Sequence, residues 1–374
     1  MEAFPLGSKV LAVCCHSNAM LNRLSRNHQS SSGPNCGKRS VNGRSSAMES
    51  KKPVAIILAI FVVTSVAAVA IFYPRPAGAS IRIGYLSQDL HQLALRVAYE
   101  KGWFEEEGVN ITLMQYQNGA YEMDGFLAGQ IDVGYLGIAP ALTKSVNQHI
   151  NITVLATANL EGSSIMVFKE EYDAGRIINI TGLVNRTILH PGPSSVQAFL
   201  LRLALNQSGI SMSQVSLEQS LPQNMAISLT ADRPAFIAWE PFCALAQYNN
   251  QAVPILSSHD IWPGHPCCVL ATSNDFLRTS PDIVQKIVDI HKRAEQWILA
   301  NPIDAMSIAV KWLLVDTMPV ETALNRITYD YGLNRTAFEK YLTFLITEGL
   351  VTMDLSGINS FLDRFVNSTF IEHV

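Results

Sequence analysis

Residues 126–142 read FLAGQIDVGYLGIAPAL, in which a short apolar strand runs through small residues directly into a second apolar segment. The run DVGYLG predicts a strand, and residues 138–146 predict a helix that begins immediately after it. The same order occurs upstream, where IRIGYL (residues 81–86) predicts a strand and residues 90–107 predict a helix. This alternation is typical of a parallel sheet covered by helices, which binds ligands at the carboxyl ends of its strands.

The strand–helix rhythm continues along the chain and then changes. Further strands are predicted in VNITLMQY, NITVLATAN, SIMVF, TILHP, VSLEQ, AFIAW, VPILS and PCCVLATS, which lie between residues 109 and 273. A short helix is predicted over residues 121–128. Beyond Ser273 the chain is almost wholly helical, and Ser280-Pro281 and Asn301-Pro302 each place proline at the first helical position.

Composition limits the class of protein. The 374 residues are 48% apolar, enough for a packed core, and the length exceeds about 150 residues per domain, which indicates two lobes. Only 16% of residues are charged and the net charge is −4, which gives no support to a nucleic-acid partner. The six cysteines are too unevenly placed for a disulfide scaffold and lack the paired spacing of a structural zinc site. No metal and no cofactor is predicted.

The N-terminal region predicts export. Residues 1–47 are rich in Ser, Asn and Arg, and we interpret them as disordered or as an extension upstream of a start at Met48. Residues 48–79 are interpreted as a signal peptide or membrane anchor, because Lys51 and Lys52 precede an uncharged apolar run over residues 54–73 that could cross a bilayer. Ala77-Gly78-Ala79 favours cleavage, whereas the length of the run favours a retained anchor. The rest of the chain is expected on the extracytoplasmic face, anchored or secreted.

Glycosylation sequons agree with export. Seven Asn-x-Ser/Thr sequences follow the apolar run, and their excess over chance predicts a glycosylated surface protein. These sequons begin at Asn110, Asn151, Asn179, Asn185, Asn206, Asn334 and Asn367.

The motifs together resemble a known family. IRIGYL, LALRVAYEKGWFEEEGVNI, FLAGQIDVGYLGIAPAL, FIAWEPF and HPCCVLATSNDFLRTSPDIVQKIV occur in the order found in substrate-binding proteins of ABC importers for nitrate, sulfonate, taurine and bicarbonate. The resemblance covers residues 81–302 and continues loosely to the C-terminus. It implies a two-lobe α/β fold of the periplasmic-binding-protein type II class, with lobe I formed by residues 81–163 and 269–374 and lobe II by residues 164–268. It also implies a solute trapped between the lobes and delivered to a permease and its ATPase subunit.

Four loops rich in small residues precede helices, where unpaired N–H groups and the helix dipole favour anions. With the end of the strand AFIAW, they supply the predicted ligand-binding residues, which are Ser87, Gln88, His91, Gly137, Ile138, Ala139, Ser163, Ser164, Gly192, Ser194, Ser195, Trp239 and Glu240. Several of these have structural alternatives: Ser194 and Ser195 could be helix caps alone, and Trp239 could be half-buried beside a solvated Glu240. His190 is a weaker candidate at the same loop.

The chemistry of the solute stays open from the sequence. A small anion of the nitrate, sulfonate, taurine or bicarbonate class suits the loops, although a carboxylate at Glu240 would oppose it and only Arg233 lies close enough in sequence to help. A pyrimidine or thiamine precursor, stacked on Trp103, Tyr121 or Trp239, is the alternative. An enzyme on the same scaffold is a third possibility, disfavoured by the absence of a credible acid–base pair. Cys267 and Cys268 are expected to be buried free thiols, with a bond from Cys243 to one of them as the alternative.

Overall fold

The fold is built around two β-sheets, each covered by helices, in a computed structural model that describes residues 80–372. The predictions for residues 1–47 and 48–79, including the apolar run and its cleavage, lie outside the described residues. Within residues 80–372, no helix has the length and apolar character that a membrane span requires.

The strands are β1 (Ile81–Leu86), β2 (Ile111–Tyr116), β3 (Val133–Gly137), β4 (Ile152–Glu161), β5 (Ser163–Phe168), β6 (Thr187–His190), β7 (Ser216–Gln219), β8 (Ala235–Trp239), β9 (Ala252–Ser257), β10 (Pro266–Ser273) and β11 (Ile327–Thr328). The α-helices are α1 (Leu93–Glu100), α2 (Trp103–Glu106), α3 (Gly119–Leu127), α4 (Ile138–Asn147), α5 (Lys169–Asp173), α6 (Val196–Gln207), α7 (Pro222–Met225), α8 (Phe242–Tyr248), α9 (Ser258–Ile261), α10 (Asn274–Thr279), α11 (Pro281–Ala300), α12 (Pro302–Leu313), α13 (Thr317–Leu324), α14 (Arg335–Thr347), α15 (Ile358–Phe365) and α16 (Thr369–Glu372). Short 3-10 turns occur at Leu90–Gln92, Ile180–Leu183, Met212–Gln214, Ala226–Ser228 and Leu355–Gly357.

The first sheet has the strand order β11-β4-β10-β3-β1-β2. Strands β1, β2 and β3 pair in parallel, as the strand–helix alternation predicts. Strand β10 inserts between β3 and β4 and is antiparallel to both, so the sheet is mixed and the predicted parallel order holds only on one side. The physical reason is that β10 brings the chain back from the second sheet and therefore does not follow a crossover helix of the first.

The second sheet has the strand order β7-β6-β8-β5-β9. Strands β6, β7 and β8 pair in parallel, and β5 is antiparallel to β8 and β9. The mixed α/β architecture with two sheets confirms the predicted fold class.

The chain passes from the first sheet to the second at Gly162, between β4 and β5, and returns to the first sheet with β10. The predicted lobe boundaries at 163/164 and 268/269 lie near these two crossings. The assignment of residues 81–163 and 269–374 to lobe I, and of residues 164–268 to lobe II, stays a prediction.

The helical C-terminal part packs against the first sheet. Pro281 opens α11, whose Val284, Ile287, Ala294 and Ile298 are buried along one face. These side chains lie together because residues three and four apart share a face of a helix. Contacts of α11 with α1 and β4 hold it over the first sheet.

Two local features differ from the sequence prediction. The helix predicted over residues 90–107 is divided, because Gly102 adopts a left-handed φ of 72° between α1 and α2. The two-residue strand β11 was not predicted, since it carries no periodic signal and exists only through its pairing with β4. Six of the seven sequon asparagines are exposed and Asn367 is half-buried; their glycosylation stays a prediction.

Candidate functional site

A cavity of about 220 Å³ lies where strand ends of both sheets meet. The first sheet contributes Leu86 at the end of β1 and Gly137 at the end of β3, and the second contributes Gln219 at the end of β7 and Trp239 at the end of β8. These are the carboxyl ends of parallel-paired strands, which is where α/β sheets place their ligands. The location is therefore the one that the strand pattern predicts.

Three helices begin at the cavity wall. Asn118 caps α3 through its side-chain oxygen, which accepts hydrogen bonds from the backbone N–H groups of Ala120 and Tyr121. Gly137 is the N-cap of α4, and Ser195 caps α6 by accepting from Ala198 N at 3.1 Å. Helix N-termini carry partial positive charge, so the wall favours negative atoms. Among the described residues that line the cavity, none is Lys or Arg.

The indole N–H of Trp239 is a hydrogen-bond donor without a partner among the described residues. Its side chain lines the cavity and the residue is 4% exposed, yet its indole Nε1 has no hydrogen-bond partner among the described residues. A buried N–H without an acceptor is costly, by about 1 to 3 kcal/mol, so such a group is expected to find an acceptor on a ligand. The ring itself is held edge-on to Phe242, with centroids 5.8 Å apart.

The structure brings six predicted site residues to the cavity and places the others elsewhere. The six are His91, Gly137, Gly192, Ser194, Ser195 and Trp239. Ser87 lies outside and its Oγ accepts from Gln115 Nε2, while Gln88 is exposed with a left-handed φ of 53°. Ile138 and Ala139 are buried in the first turn of α4.

Three more predicted residues are buried outside the cavity lining. Ser163 accepts from Gln197 Nε2 at 2.9 Å, and Ser164 is buried on β5. Glu240 is fully buried, and its Oε1 accepts from Arg326 Nη1 at 2.8 Å. Burial raises the pKa of Glu240, and Arg326 opposes that rise. The Glu240 carboxylate therefore contacts Arg326, which answers the objection that it would repel an anion.

The remaining candidates from the sequence are placed as follows. Arg233 lies outside the cavity lining and pairs with Glu218 at 3.0 Å. Trp103 packs edge-on against Trp297, so of the predicted stacking residues only Tyr121 and Trp239 reach the cavity.

The Nδ1 atom of His190 accepts from Gly192 N, and burial lowers the pKa of His190. Cys243, Cys267 and Cys268 are all buried and free.

His91, Cys267 and Cys268 converge on the cavity. The Nε2 atom of His91 donates to the carbonyl oxygen of Gly162 at 2.9 Å, so the unprotonated position of a neutral ring is Nδ1. That Nδ1 lies 3.5 Å from Cys267 Sγ and 3.9 Å from Cys268 Sγ. Asp89 Oδ1 is 3.4 Å from the same nitrogen, and all four residues line the cavity.

The pKa values of the four groups in this cluster depend on one another. A hydrogen bond from the Cys268 thiol holds the pKa of Cys267 well below its usual value, and the same bond raises the pKa of Cys268. Burial lowers the pKa of His91, but the Cys267 sulfur and then Asp89 raise it, to about 9. Burial raises the pKa of Asp89 to about 6, opposed by His91. The pKa of each group in the cluster is therefore set by burial and by its neighbours in the cluster.

Sequence reasoning missed several cavity residues. Those that carry polar groups are Asp89, Asn118, Gln197, Gln219, Cys267 and Cys268. Asn118-Gly119 directly follows β2 and precedes α3, and this capping signal could have identified the third helix N-terminus. The side chains of Gln197, Gln219 and the two cysteines carry no such local signal, because only the meeting of the sheets brings them to the cavity.

Comparisons with known proteins agree with this geometry. The sequence model described as the NMT1-like family matches residues 75–314. A protein of Brucella abortus described as a binding protein is 26% identical over 290 residues, which cover 76% of this chain and 85% of that protein.

Solved structures show the same fold. The periplasmic nitrate-binding protein NrtA of Synechocystis superposes with a TM-score of 0.71 at 14% identity, over 78% of this chain and 87% of that one. The alkanesulfonate-binding protein SsuA of Xanthomonas axonopodis, bound to MOPS, superposes with a TM-score of 0.65 at 16% identity, over 74% of this chain and 95% of that one. The resemblance inferred from the motifs is confirmed.

Proposed function

Because the chain belongs to the NMT1-like family, we propose that it is the solute-binding component of an ABC import system. In this proposal it holds a small oxyanion of the nitrate and alkanesulfonate class in the cavity between its two sheets. The observation that carries the proposal is the cavity wall, where α3, α4 and α6 begin and Trp239 Nε1 is an unpaired buried donor.

The proposed binding mode uses neutral donors. Gly137 and Gly192 line the cavity and lack side chains, so an oxyanion can approach the backbone closely. Ser194 adds a hydroxyl at the start of α6, and Trp239 adds its indole N–H. The relatives support this class of solute, since the names of two similar solved proteins specify nitrate and alkanesulfonate.

Closure of the two sheets over the solute is the proposed signal to a membrane permease, with the energy supplied by a separate ATPase subunit. Two hydrogen bonds already connect the sheets near the cavity: Leu90 N donates to the carbonyl oxygen of Glu240 at 3.3 Å, and Gln223 Nε2 donates to Gln117 Oε1 at 3.2 Å. The proposal takes these two contacts to belong to the closed arrangement. The protein would act on the extracytoplasmic side, as the signal peptide or membrane anchor predicted for residues 48–79 implies.

The test is solute binding by the full chain, measured by thermal shift and then by calorimetry. The panel contains nitrate, bicarbonate, taurine, alkanesulfonates, sulfate and a thiamine-precursor pyrimidine. At a solute concentration one hundredfold above Kd the free energy of unfolding rises by about 2.7 kcal/mol, which shifts the midpoint by several degrees. Ser194→Trp should abolish the shift because the side chain fills the cavity, whereas Ser213→Trp, at an exposed position outside the lining, should preserve it. Equal shifts in both variants would contradict the proposal.

A pyrimidine is the second candidate solute, favoured by one observation: the aromatic rings of Tyr121 and Trp239 both line the cavity. A stacked neutral ring would be held by apolar contact and little charge. Its affinity should therefore be insensitive to added competing anions, whereas the affinity for a sulfonate should fall as they are added.

An enzyme is the candidate from another class, favoured by the Cys267 sulfur beside His91 in the cavity. The geometry differs from a nucleophile–base–carboxylate relay, because Asp89 and Cys267 both face the same nitrogen of His91. Incubation of each solute that binds, followed by mass spectrometry of the solute, decides between binding and turnover.

A further inference from the structure

We propose that His91, Cys267 and Cys268 bind one zinc-class divalent metal ion on the cavity wall, with a fourth coordination position open to the solute. The three potential ligand atoms all lie within 4.8 Å of one another, and all three residues are buried. The role of the fourth position rests on the function proposed above, whereas the metal site does not.

The separations fit a tetrahedral site. With bonds of about 2.3 Å to sulfur and about 2.0 Å to nitrogen, the nitrogen and a sulfur of one tetrahedron lie about 3.6 Å apart. His91 Nδ1 lies 3.5 Å from Cys267 Sγ and 3.9 Å from Cys268 Sγ. Both nitrogen–sulfur separations are therefore close to those of a tetrahedral site, and the two sulfurs lie within 4.8 Å of each other.

The strand irregularity explains how two adjacent cysteines reach one point. Adjacent side chains of a regular strand point to opposite faces. The pairing of β10 with β4 shifts register between Pro266 and Cys268 and again between Cys268 and Val269. Such irregularities redirect side chains, and here they bring both sulfur atoms to the His91 side of the strand.

The surroundings of His91 are those of a metal ligand. A ligating histidine generally donates its other ring N–H to a carbonyl or carboxylate, which fixes the ring and leaves one nitrogen for the metal. His91 Nε2 donates to Gly162 O at 2.9 Å, and Nδ1 faces the sulfurs. Two thiolates and an imidazole are soft to borderline ligands, which favour zinc over magnesium or calcium.

A metal ion would also give the cavity a position that accepts an anionic oxygen. Asp89 supplies the carboxylate of the lining, and there is neither Lys nor Arg among the described residues that line the cavity. A divalent cation held by two thiolates and one imidazole would leave an open position for an anionic oxygen, as sites with three protein ligands do. Metal uptake would release to solvent the protons that the two thiol groups and His91 Nδ1 carry.

The experiment is a titration of chelator-treated full chain with Zn²⁺ and, for spectroscopy, with Co²⁺. The expected result is one equivalent bound, with thiolate-to-cobalt charge-transfer absorption and the visible bands of a tetrahedral ion. Cys267→Ser and Cys268→Ser should each lower the metal affinity at least about tenfold. Cys243→Ser is the matched control, because Cys243 is also buried and free but its Sγ contacts the carbonyl oxygens of Ala238 and Ser164.

A measurement on the unsubstituted chain tests the metal site even if the cysteine variants fold poorly. X-ray absorption of the zinc form should give two sulfur neighbours at about 2.3 Å and at least one nitrogen or oxygen neighbour. Absence of metal binding, a coordination shell without sulfur, or equal loss of affinity in Cys243→Ser would overturn the metal site.

The open position is tested separately, with a solute that calorimetry has shown to bind. Addition of that solute to the cobalt form should shift the visible bands, and unchanged bands would overturn the open position while the metal site stood. If no solute binds with or without metal, the proposed function fails, and the metal titration still decides the metal site.

Discussion

Nε2 of His91 lies 2.9 Å from the carbonyl oxygen of Gly162, the residue at which the chain passes from the first sheet to the second. A cavity residue is thereby anchored to the crossing between the sheets. Gly162 has a φ of +86°, and a Cβ added there would lie 2.2 Å from His91 Nε2. Both the backbone angle and the contact with His91 require glycine at this position.

Gly162→Ala should therefore lower both stability and affinity for the solute. The left-handed backbone alone costs about 1 to 3 kcal/mol for a residue with a side chain, and displacement of His91 adds to it. Gly175→Ala is the control, because Gly175 also has a positive φ, of +69°, but nothing lies within 4 Å of an added Cβ. Urea unfolding and calorimetry should show the larger loss of stability, and all of the loss of affinity, in Gly162→Ala. Equal effects would show that the contact with His91 is unimportant.

Trp239→Phe should weaken solute binding while the protein stays folded. The substitution keeps an aromatic ring next to Phe242 but removes the indole N–H that has no partner in the protein. Loss of one hydrogen bond to the solute corresponds to a fall in affinity of roughly three- to tenfold. Trp297→Phe, which alters a ring that packs against Trp103 outside the cavity lining, should leave the affinity unchanged. A Trp239→Phe protein that binds solute normally would remove this residue from the site.

Arg326→Ala should strongly destabilise the fold, because it leaves the fully buried Glu240 carboxylate without its ionic partner. Breaking such a pair costs about 3 to 5 kcal/mol in the free energy of unfolding. Adding Glu240→Gln to the same chain should restore part of that loss by removing the buried charge. Arg335→Ala breaks an exposed pair with Asp363 and should cost at most about 1 kcal/mol. Similar losses in Arg326→Ala and Arg335→Ala would mean that burial does not determine the energy of the pair.

His291 should make stability depend on pH between about 4 and 6.5. Burial lowers the pKa of His291 to about 4 from its ordinary 6.5, while its Nε2 contacts the carbonyl oxygen of Thr157 at 2.8 Å. In this interval the unfolded chain binds a proton that the folded chain does not. The stabilisation that neutral His291 provides is thus fully present above pH 6.5. As the pH falls through this interval, the free energy of unfolding decreases by at most about 1.4 kcal/mol per pH unit.

The measurement is the free energy of unfolding from urea melts at several pH values. His291→Gln keeps a side-chain N–H for Thr157 but does not titrate, so its profile should be shallower over this interval. Burial also lowers the pKa values of His190 and His265. These two residues change the stability of both proteins in the same way, so their effect cancels when one profile is subtracted from the other. If the stability of both proteins changed equally with pH, His291 would not be the source of the pH dependence.

Much of the architecture was predictable from local patterns. The strands IRIGYL and PCCVLATS have the predicted bounds, Ile81–Leu86 and Pro266–Ser273, because apolar runs of that length next to helix-capping residues have few other stable conformations. The alternation of strands and helices also indicated the carboxyl strand ends, where the cavity lies. Gly137 and Ser195 are helix N-caps there, and Gly192 and Ser194 lie in the loop before α6. Their contact with a solute stays a prediction.

What the sequence by itself determined is therefore the two-sheet α/β class and the helix N-termini that border the cavity, since both depend on periodicity and capping within short segments. Only the tertiary structure decided that Ser87 and Glu240 lie outside the cavity lining, that Arg326 pairs with Glu240, and that Cys267 and Cys268 face His91. The pairs Glu240–Arg326 and His91–Cys267 are 86 and 176 residues apart in the chain. Contacts at such separations depend on how two sheets meet and where β10 shifts register, and no local pattern of residues encodes either.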